Sequence, residues 1–349
     1  MAIFGVGGSK STVALDVGSG LLKLAAVDHG KGDPVLSRVA VAPVLADAIV
    51  EGEVMDPDIV ADAIRGLFKT AGVKTKQVVV AVGGRDVIIK KIQVDRMKES
   101  DAYEVVRWEA QQHVPFDIEA VELDFQILDP EGEGLQMDVL LVAAKRDLVE
   151  DKLQLLTQAG LEPAIVDVDA FALHNAFELN YPDAMMGVVA LLNIGHEITN
   201  VNILLDGVPL LTRDLSVGTR KFREDLQRDR GMSAEDADAL LQGYERTPDL
   251  EPYVENRGEE MAVGLERASA FLQTAARDAG NLQRVYCCGG GARIPGLSDV
   301  LGQRLQMSVE VASPLQRLRA REGVFDTLNA DEVGPLLMLV TGLALRKRS

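Results

Sequence analysis

The feature that most constrains this chain is a duplication. The stretches ALDVGSGLLKLAAV, residues 14 to 27, and LLNIGHEITNVNILL, residues 191 to 205, share one frame. Aligning Asp16 with Asn193 puts Gly18 on Gly195 and Leu22-Lys23-Leu24 on Thr199-Asn200-Val201. Each unit is an apolar run, a turn of the form (Asp/Asn)-(Val/Ile)-Gly and a second apolar run. That is the pattern of a strand, a tight turn and a returning strand. Each then leads into a β-meander and a helix. Two such halves within 349 residues predict two related α/β domains facing each other across a cleft.

The turns have the chemistry of phosphate sites. A glycine lets backbone N–H groups approach phosphate oxygens with no Cβ in the way. A carboxylate at the strand end, Asp16, can hold a water of Mg²⁺, which prefers oxygen ligands and keeps several waters. A third turn, Gly289-Gly290-Gly291, opens onto a helix and could let backbone pass flat against a base or ribose. Each element alone is commonly a hairpin or a loop. The order of turn, repeated turn and triple glycine points to a nucleotide cleft.

The remaining pattern fills in the domains. Asp56 caps a helix with Pro57 at its first position, Ile59, Val60, Ala63, Ile64, Leu67 and Phe68 on one face, and Gly72 after its end. Val78–Val82 reads as a buried parallel strand. Residues 87 to 166 then run strand, helix, strand, strand, helix, the pattern of a small inserted α+β subdomain. Helices are expected near 218–230, 233–244, 255–279 and 333–346, with Ser233 and Asp236 as a capping box.

The net charge of −18 argues against a nucleic-acid face. Adjacent Cys287 and Cys288 read as small buried strand residues rather than a redox pair, which suggests a reducing compartment. The four histidines show no metal-ligand spacing. No segment has the length and apolarity of a spanning helix, and Ile3-Phe4 is too short to anchor the chain. The basic RKRS end reads as solvated. A cytoplasmic protein is expected.

The two turns and GGGARIPGL, residues 289 to 297, resemble the phosphate-1, phosphate-2 and adenosine motifs of the actin-like ATPase superfamily. That superfamily includes actin, the Hsp70 chaperones, FtsA and MreB. Four further stretches are similar to the PilM family of type IV pilus assembly: VVRWEAQQHVPFDIEAVELDFQIL (105–128), AGLEPAIVDVDAFAL (159–173), GMSAEDADAL (231–240) and GLALR (342–346). The WEAQQHVPF segment is the most specific, because nothing in generic nucleotide binding requires it.

The resemblance implies an actin-like ATPase fold: α/β, with two duplicated RNase H-like domains around a nucleotide cleft and an FtsA-like subdomain 1C. Subdomain 1A would span 1–86, completed by about 167–186 and 331–349. Subdomain 1C would span 87–166, 2A 187–230 with about 259–330, and 2B 231–258. It implies ATP with Mg²⁺ as cofactors. The matching positions are Gly18, Ser19, Gly20 and Lys23 in the first turn and Asn193, Gly195, His196 and Thr199 in the second. Gly218, Gly289, Gly290, Gly291 and Arg293 complete the nucleotide set, with Asp16 on the metal side. His196 itself reads as a solvent-facing hairpin residue.

Two departures bear on activity. Hydrolytic members place an aspartate where this chain has Asn193. An amide can hydrogen-bond a metal-bound water but brings no charge to it. Where chaperone-like members place a water-positioning Glu, this chain offers Asp169, one methylene shorter. An error near 1 Å in such a position costs about a hundredfold in rate. The resemblance therefore implies a scaffold with weak or absent ATPase activity. Its partner would be the N-terminal cytoplasmic tail of a PilN-like membrane protein, docked through subdomain 1C. An extended peptide needs a sheet edge, and strands 87–94 and 121–128 are the candidates. Lys90 and Lys91 read equally as edge-strand gatekeepers, and Trp108 as a core residue. An active ATPase or kinase of the same superfold, and an FtsA-like filament protein, are the competing readings. Contact with the inner membrane would come through partners.

Overall fold

The computed structural model describes residues 11–243, 246–275 and 280–347. The Ile3-Phe4 pair and the last two residues of the basic tail lie outside the described residues, as does the end of the helix expected to reach 279.

The duplication in sequence is a duplication in space. In the first half, Ser11–Val17, Leu21–Asp28 and Val35–Pro43 form an antiparallel meander, extended in parallel by Gln77–Val82 and Glu162–Val168. In the second, Val188–Ile194, Thr199–Leu205 and Val208–Leu215 form the meander, extended by Arg284–Cys288 and Ser308–Val311. Both sheets run third, second, first, fourth, fifth strand across their width, with the two-residue strand Arg319–Ala320 added to the outer edge of the first. The hairpin registers also agree: Asp16 pairs with Lys23 as Asn193 pairs with Asn200. Each turn closes by the same bond, Gly18 N–H to Leu21 O at 3.2 Å and Gly195 N–H to Ile198 O at 2.9 Å.

Helices cover both sheets. Helix Pro57–Thr70 is capped by the Asp56 carboxylate and buries Val60, Ala61, Ile64, Leu67 and Phe68. The other face of the first sheet carries the connecting helix Asp169–Asn180 and the C-terminal helix Met338–Ala344. They touch at Gly342, where a Cβ would stand 1.6 Å from Ala172 O. The single helix expected over 333–346 is broken here. Helix Ala330–Val333 gives way to a tight turn at Gly334–Leu337 before the last helix begins. Pro335 has no N–H to give and its ring crowds the preceding turn. Among the described residues, no helix is long and apolar enough to cross a membrane.

Residues 87–145 build a separate three-stranded antiparallel sheet. Gln136–Lys145 is central, flanked by Val87–Asp95 and Val121–Ile127, so both candidate peptide strands are edges. Helix Glu99–His113 packs on this sheet through Ala102, Val106 and Ala110, spaced four apart on one face. Trp108 falls on the opposite face and is 60% exposed. The core reading of Trp108 is therefore corrected: small residues take the buried stripe. Lys91 pairs with Asp138 at 2.7 Å, and Lys90 Nζ lies 3.2 Å from His113 Nδ1. Cys287 and Cys288 are buried on opposite faces of their strand, and burial pushes the Cys287 thiol up to about 12.

Candidate nucleotide cleft

The two turns meet where the halves face each other. A Cβ on Gly20 would stand 2.9 Å from the His196 Cβ, so the second turn lies directly on the first. His196 is thus half-buried between the turns, which corrects the expectation of a solvent-facing residue. Its Nδ1 sits 3.0 Å from Thr219 Oγ1. Burial, with Arg223 nearby, holds the imidazole below its ordinary range.

The start of helix Thr219–Arg230 locks the second turn. The N–H groups of Thr219 and Arg220 donate to the carbonyls of Gly195 and His196 at 3.0 and 2.7 Å. Gly218 permits that approach, since a Cβ there would be 2.4 Å from His196 O. Thr199 is fully buried and donates to Val217 O at 2.6 Å, so it braces the hairpin from inside and does not face the cleft. Gly289 has φ +82°, and a Cβ on it would meet Asn193 Oδ1 at 2.5 Å; one on Gly291 would meet Ile194 Cγ2 at 2.1 Å. Those two glycines seat the second turn. Gly290 lies beside Leu336, and half-buried Arg293 is 3.8 Å from Glu332.

The two turns differ in charge. In the first, Lys23 Nζ holds Asp16 at 2.6 Å, both side chains mostly buried, with Gly18 and Ser19 in the adjoining turn. In the second, Asn193 Nδ2 donates to Asn200 Oδ1 at 3.3 Å, and Asn200 Nδ2 donates to Asp214 Oδ1 at 2.7 Å. Asp169 opens the connecting helix between them, and Gly83 makes room for it: a Cβ there would be 2.1 Å from Asp169 Oδ2. Burial and then the neighbouring Asp16 carboxylate push Asp169 up to about 7, with Asp214 adding and Lys152 and Lys23 opposing. Burial also raises Asp214 and lowers Lys152, a residue of helix Arg146–Gln158. Asp16, Asp169, Asp214, Lys23 and Lys152 therefore form one charged cluster at the junction of the halves.

Beside this cluster a cavity of about 310 Å³ runs between the domains. Gly83, Gly84, Val87 and Ile88 wall it on one side, and Asn200, Asn202, Thr212 and Asp214 on the other, and Asp169 lines it as well. A tie crosses the cleft nearby. Glu197 accepts from the backbone N–H of Glu51 at 2.7 Å and pairs with Arg220 at 3.0 Å, and Arg220 reaches Asp47 at 3.4 Å.

Asp16, Gly18, Ser19, Gly20, Lys23, Asn193, Gly195, His196 and Asp169 are thus brought together, while Thr199 and Gly218 buttress them. Sequence reasoning passed over Asp214, Lys152 and Gly83. Asp214 had a signal: it stands opposite Asn200 in the third strand of the second meander. Lys152 had none, because its helix reaches the cleft only through the tertiary fold.

The family model of the type IV pilus assembly protein PilM matches residues 14–348. Among solved structures, a chain of a PilM–PilN type IV pilus biogenesis complex is 29% identical with a TM-score of 0.84, over 96% of this chain and 98% of that one. The cell division protein FtsA of Bacillus subtilis (strain 168) is 22% identical over 351 residues, 86% of this chain and 78% of FtsA. MreB5 of Spiroplasma citri bound to AMPPNP, at a TM-score of 0.51 and 11% identity over 96% of this chain and 95% of that one, shares the fold. A family model spanning nearly the whole chain decides the assignment: the chain belongs to the family of the type IV pilus assembly protein PilM.

Proposed function

We propose that this chain is a cytoplasmic nucleotide-binding scaffold of the type IV pilus assembly platform, peripheral at the inner membrane, which docks the N-terminal tail of a PilN-like membrane protein. The observation that carries the reading is the likeness, across both domains and the inserted sheet, to the chain of a PilM–PilN complex. The sheet of residues 87–145 offers a peptide two edges, since neither Val87–Asp95 nor Val121–Ile127 pairs with a further strand among the described residues.

The cleft residues fit ATP with Mg²⁺. Glycine-bounded turns meet at the domain junction, ammonium groups of Lys23 and Lys152 face it, and the carboxylates of Asp16, Asp169 and Asp214 supply oxygen acceptors. One of these, Asn202 Oδ1, is buried and unpartnered in the adjoining cavity. Lys23 and the turn N–H groups would hold phosphate, and Asp16 a metal-bound water. A fold-mate, MreB5, holds AMPPNP, which supports the same class of ligand. Hydrolysis is expected to be slow. Asn193 brings no charge, and Asp169, the candidate for positioning water, is short and drawn toward protonation near neutral pH.

Strand Val87–Asp95 begins against Val208–Leu215 of the second sheet, so a movement of the second domain reaches the root of the inserted sheet. Nucleotide and tail binding should then be linked. Titrating a PilN-like tail peptide with and without Mg·ATP tests this. A difference of at least about fivefold, or ~1 kcal/mol, is expected; equal affinities would remove the switch, and no peptide binding would remove the scaffold reading. Phosphate release near one per second would replace it with an active ATPase.

A further inference from the structure

Each half carries one carboxylate in the row of residues that crosses its meander. In the first half the row is Asp16, Lys23, Val41; in the second it is Asn193, Asn200, Asp214. The acid has moved from the first strand to the third. Directly opposed residues share a face of the sheet, so Asp214 lies on the face that carries Asn193. The hydrogen bonds from Asn193 to Asn200 and from Asn200 to Asp214, at 3.3 and 2.7 Å, tie the three side chains into one line.

The other Asp214 oxygen is turned to the domain seam. Oδ2 lies 3.8 Å from where a Cβ on Gly84 would stand, and Asp214 lines the same cavity as Asp169. Asn202 is 1% exposed and keeps an unpartnered Oδ1 at that cavity, and Thr212 Oγ1 is buried and unpartnered there as well. An unpartnered buried amide oxygen, which can only accept, suits a hydrated cation better than an anion, and the Thr212 hydroxyl can accept from the same water shell. The neighbouring cations leave room for one. Lys23 is committed to Asp16, the Lys152 ammonium stands toward Asp169 and Asp16 rather than Asp214, and Arg85 and Arg213 are exposed.

We propose that Asp214 is the metal-side carboxylate of the second domain. It would hold a water of the Mg²⁺ of a bound nucleotide, in place of the acid that position 193 lacks. Asn200 is the positioning residue that aims it. This deepens the nucleotide reading and rests on it.

Calorimetric titration of ATP in Mg²⁺ and in EDTA gives the ratio of the two affinities. In Asp214→Asn that ratio should fall by about tenfold or more, the usual cost of an outer-sphere metal partner. Adding Asn193→Asp to Asp214→Asn should restore most of it, because the acid then returns to the first strand. An unaltered ratio in Asp214→Asn, or no restoration in the double variant, overturns the proposal. If Asp214→Asn fails to fold, Asn200→Ser is read the same way: it keeps the acid but loses its aim, and an unaltered ratio again overturns the assignment. Wild-type protein that binds no ATP in either buffer would remove the nucleotide reading and this proposal together. Wild-type binding with an unaltered ratio in the variant removes only the proposal.

Discussion

The two turns of the cleft share a backbone and differ in what holds them. The first is closed by its own ion pair, Lys23 on Asp16, and is tied behind by the Val44 N–H, which donates to Gly20 O at 3.1 Å. The second is neutral at its strand end and wedged from behind by the start of helix Thr219–Arg230 and by Gly289 and Gly291. One copy keeps a charged pair, which phosphate and metal would take apart under the proposed reading. The other keeps a rigid frame and moves its acid two strands away. Duplication thus preserved the register, which the hydrogen-bond ladder enforces, and freed the side chains to diverge.

The largest expected effect tests the wedge. A Cβ on Gly218 would meet the His196 carbonyl at 2.4 Å, whereas one on Gly18 would meet the Leu21 carbonyl at 3.1 Å. Backbone cannot yield as a side-chain tip does, so Gly218→Ala should cost about 2–4 kcal/mol and Gly18→Ala about 1 kcal/mol. Denaturant unfolding of both variants checks the order. Equal costs would mean that the second turn is no more tightly seated than the first.

Next comes a pH dependence set by Asp169, which lies between the turns. Its folded-state value near 7 is above its ordinary 3.8, so the folded protein holds that proton more tightly than the unfolded chain. The stability this contributes is fully present below about pH 4 and is lost as pH rises through about 7. Asp169→Asn removes this residue's share of the slope. In EDTA and without nucleotide, the variant should gain on wild type from pH 4 to pH 8 by a few kcal/mol. Melting curves across that range read it out, and a constant gap would break the view that carboxylates crowd this junction.

The ion pair of the first turn comes third. Lys23→Met leaves Asp16 mostly buried without its partner, at a cost of about 1–3 kcal/mol. ATP affinity should fall by about tenfold or more, because the same ammonium is the group offered to phosphate. Asn200→Leu, at the matching position, should cost about 1–2 kcal/mol, since only neutral-donor bonds are lost. A larger loss from Asn200→Leu would reverse the division of labour drawn between the turns.

How far the sequence anticipated all this depends on range. The duplicated frame is local information, and Asp16, Gly18, Asn193 and Gly195 fall where the alignment put them because register follows from pattern. Alternation marked 121–128 as a half-exposed strand, and the strand Val121–Ile127 is an edge. What depended on packing between elements was not legible. Trp108 sits on the outer face because Ala102, Val106 and Ala110 take the inner one. Gly289 and Gly291 matched a ligand-binding pattern but pack against a turn nearly a hundred residues earlier. Lys152 reaches the acids from a helix whose own pattern shows only an amphipathic face.

The smallest effect concerns what separates the turns. Gly20 and His196 are in contact, so under the proposed reading a nucleotide would enter between the turns only if the halves part. The tie from Glu197 to the Glu51 N–H and to Arg220 opposes that parting. It is partly exposed at the arginine end, so its worth is about 1 kcal/mol at most, near fivefold in the open population. Glu197→Ala should therefore raise the rate of ATP association several-fold and shift the melting temperature little. Dissociation should quicken with it, because the bound state loses the same tie, and the equilibrium affinity should move by less than either rate. Stopped-flow association of a fluorescent ATP analogue measures this directly. An unchanged association rate would show that the halves already part freely, and the second turn would then be rigid in itself without being held against the first.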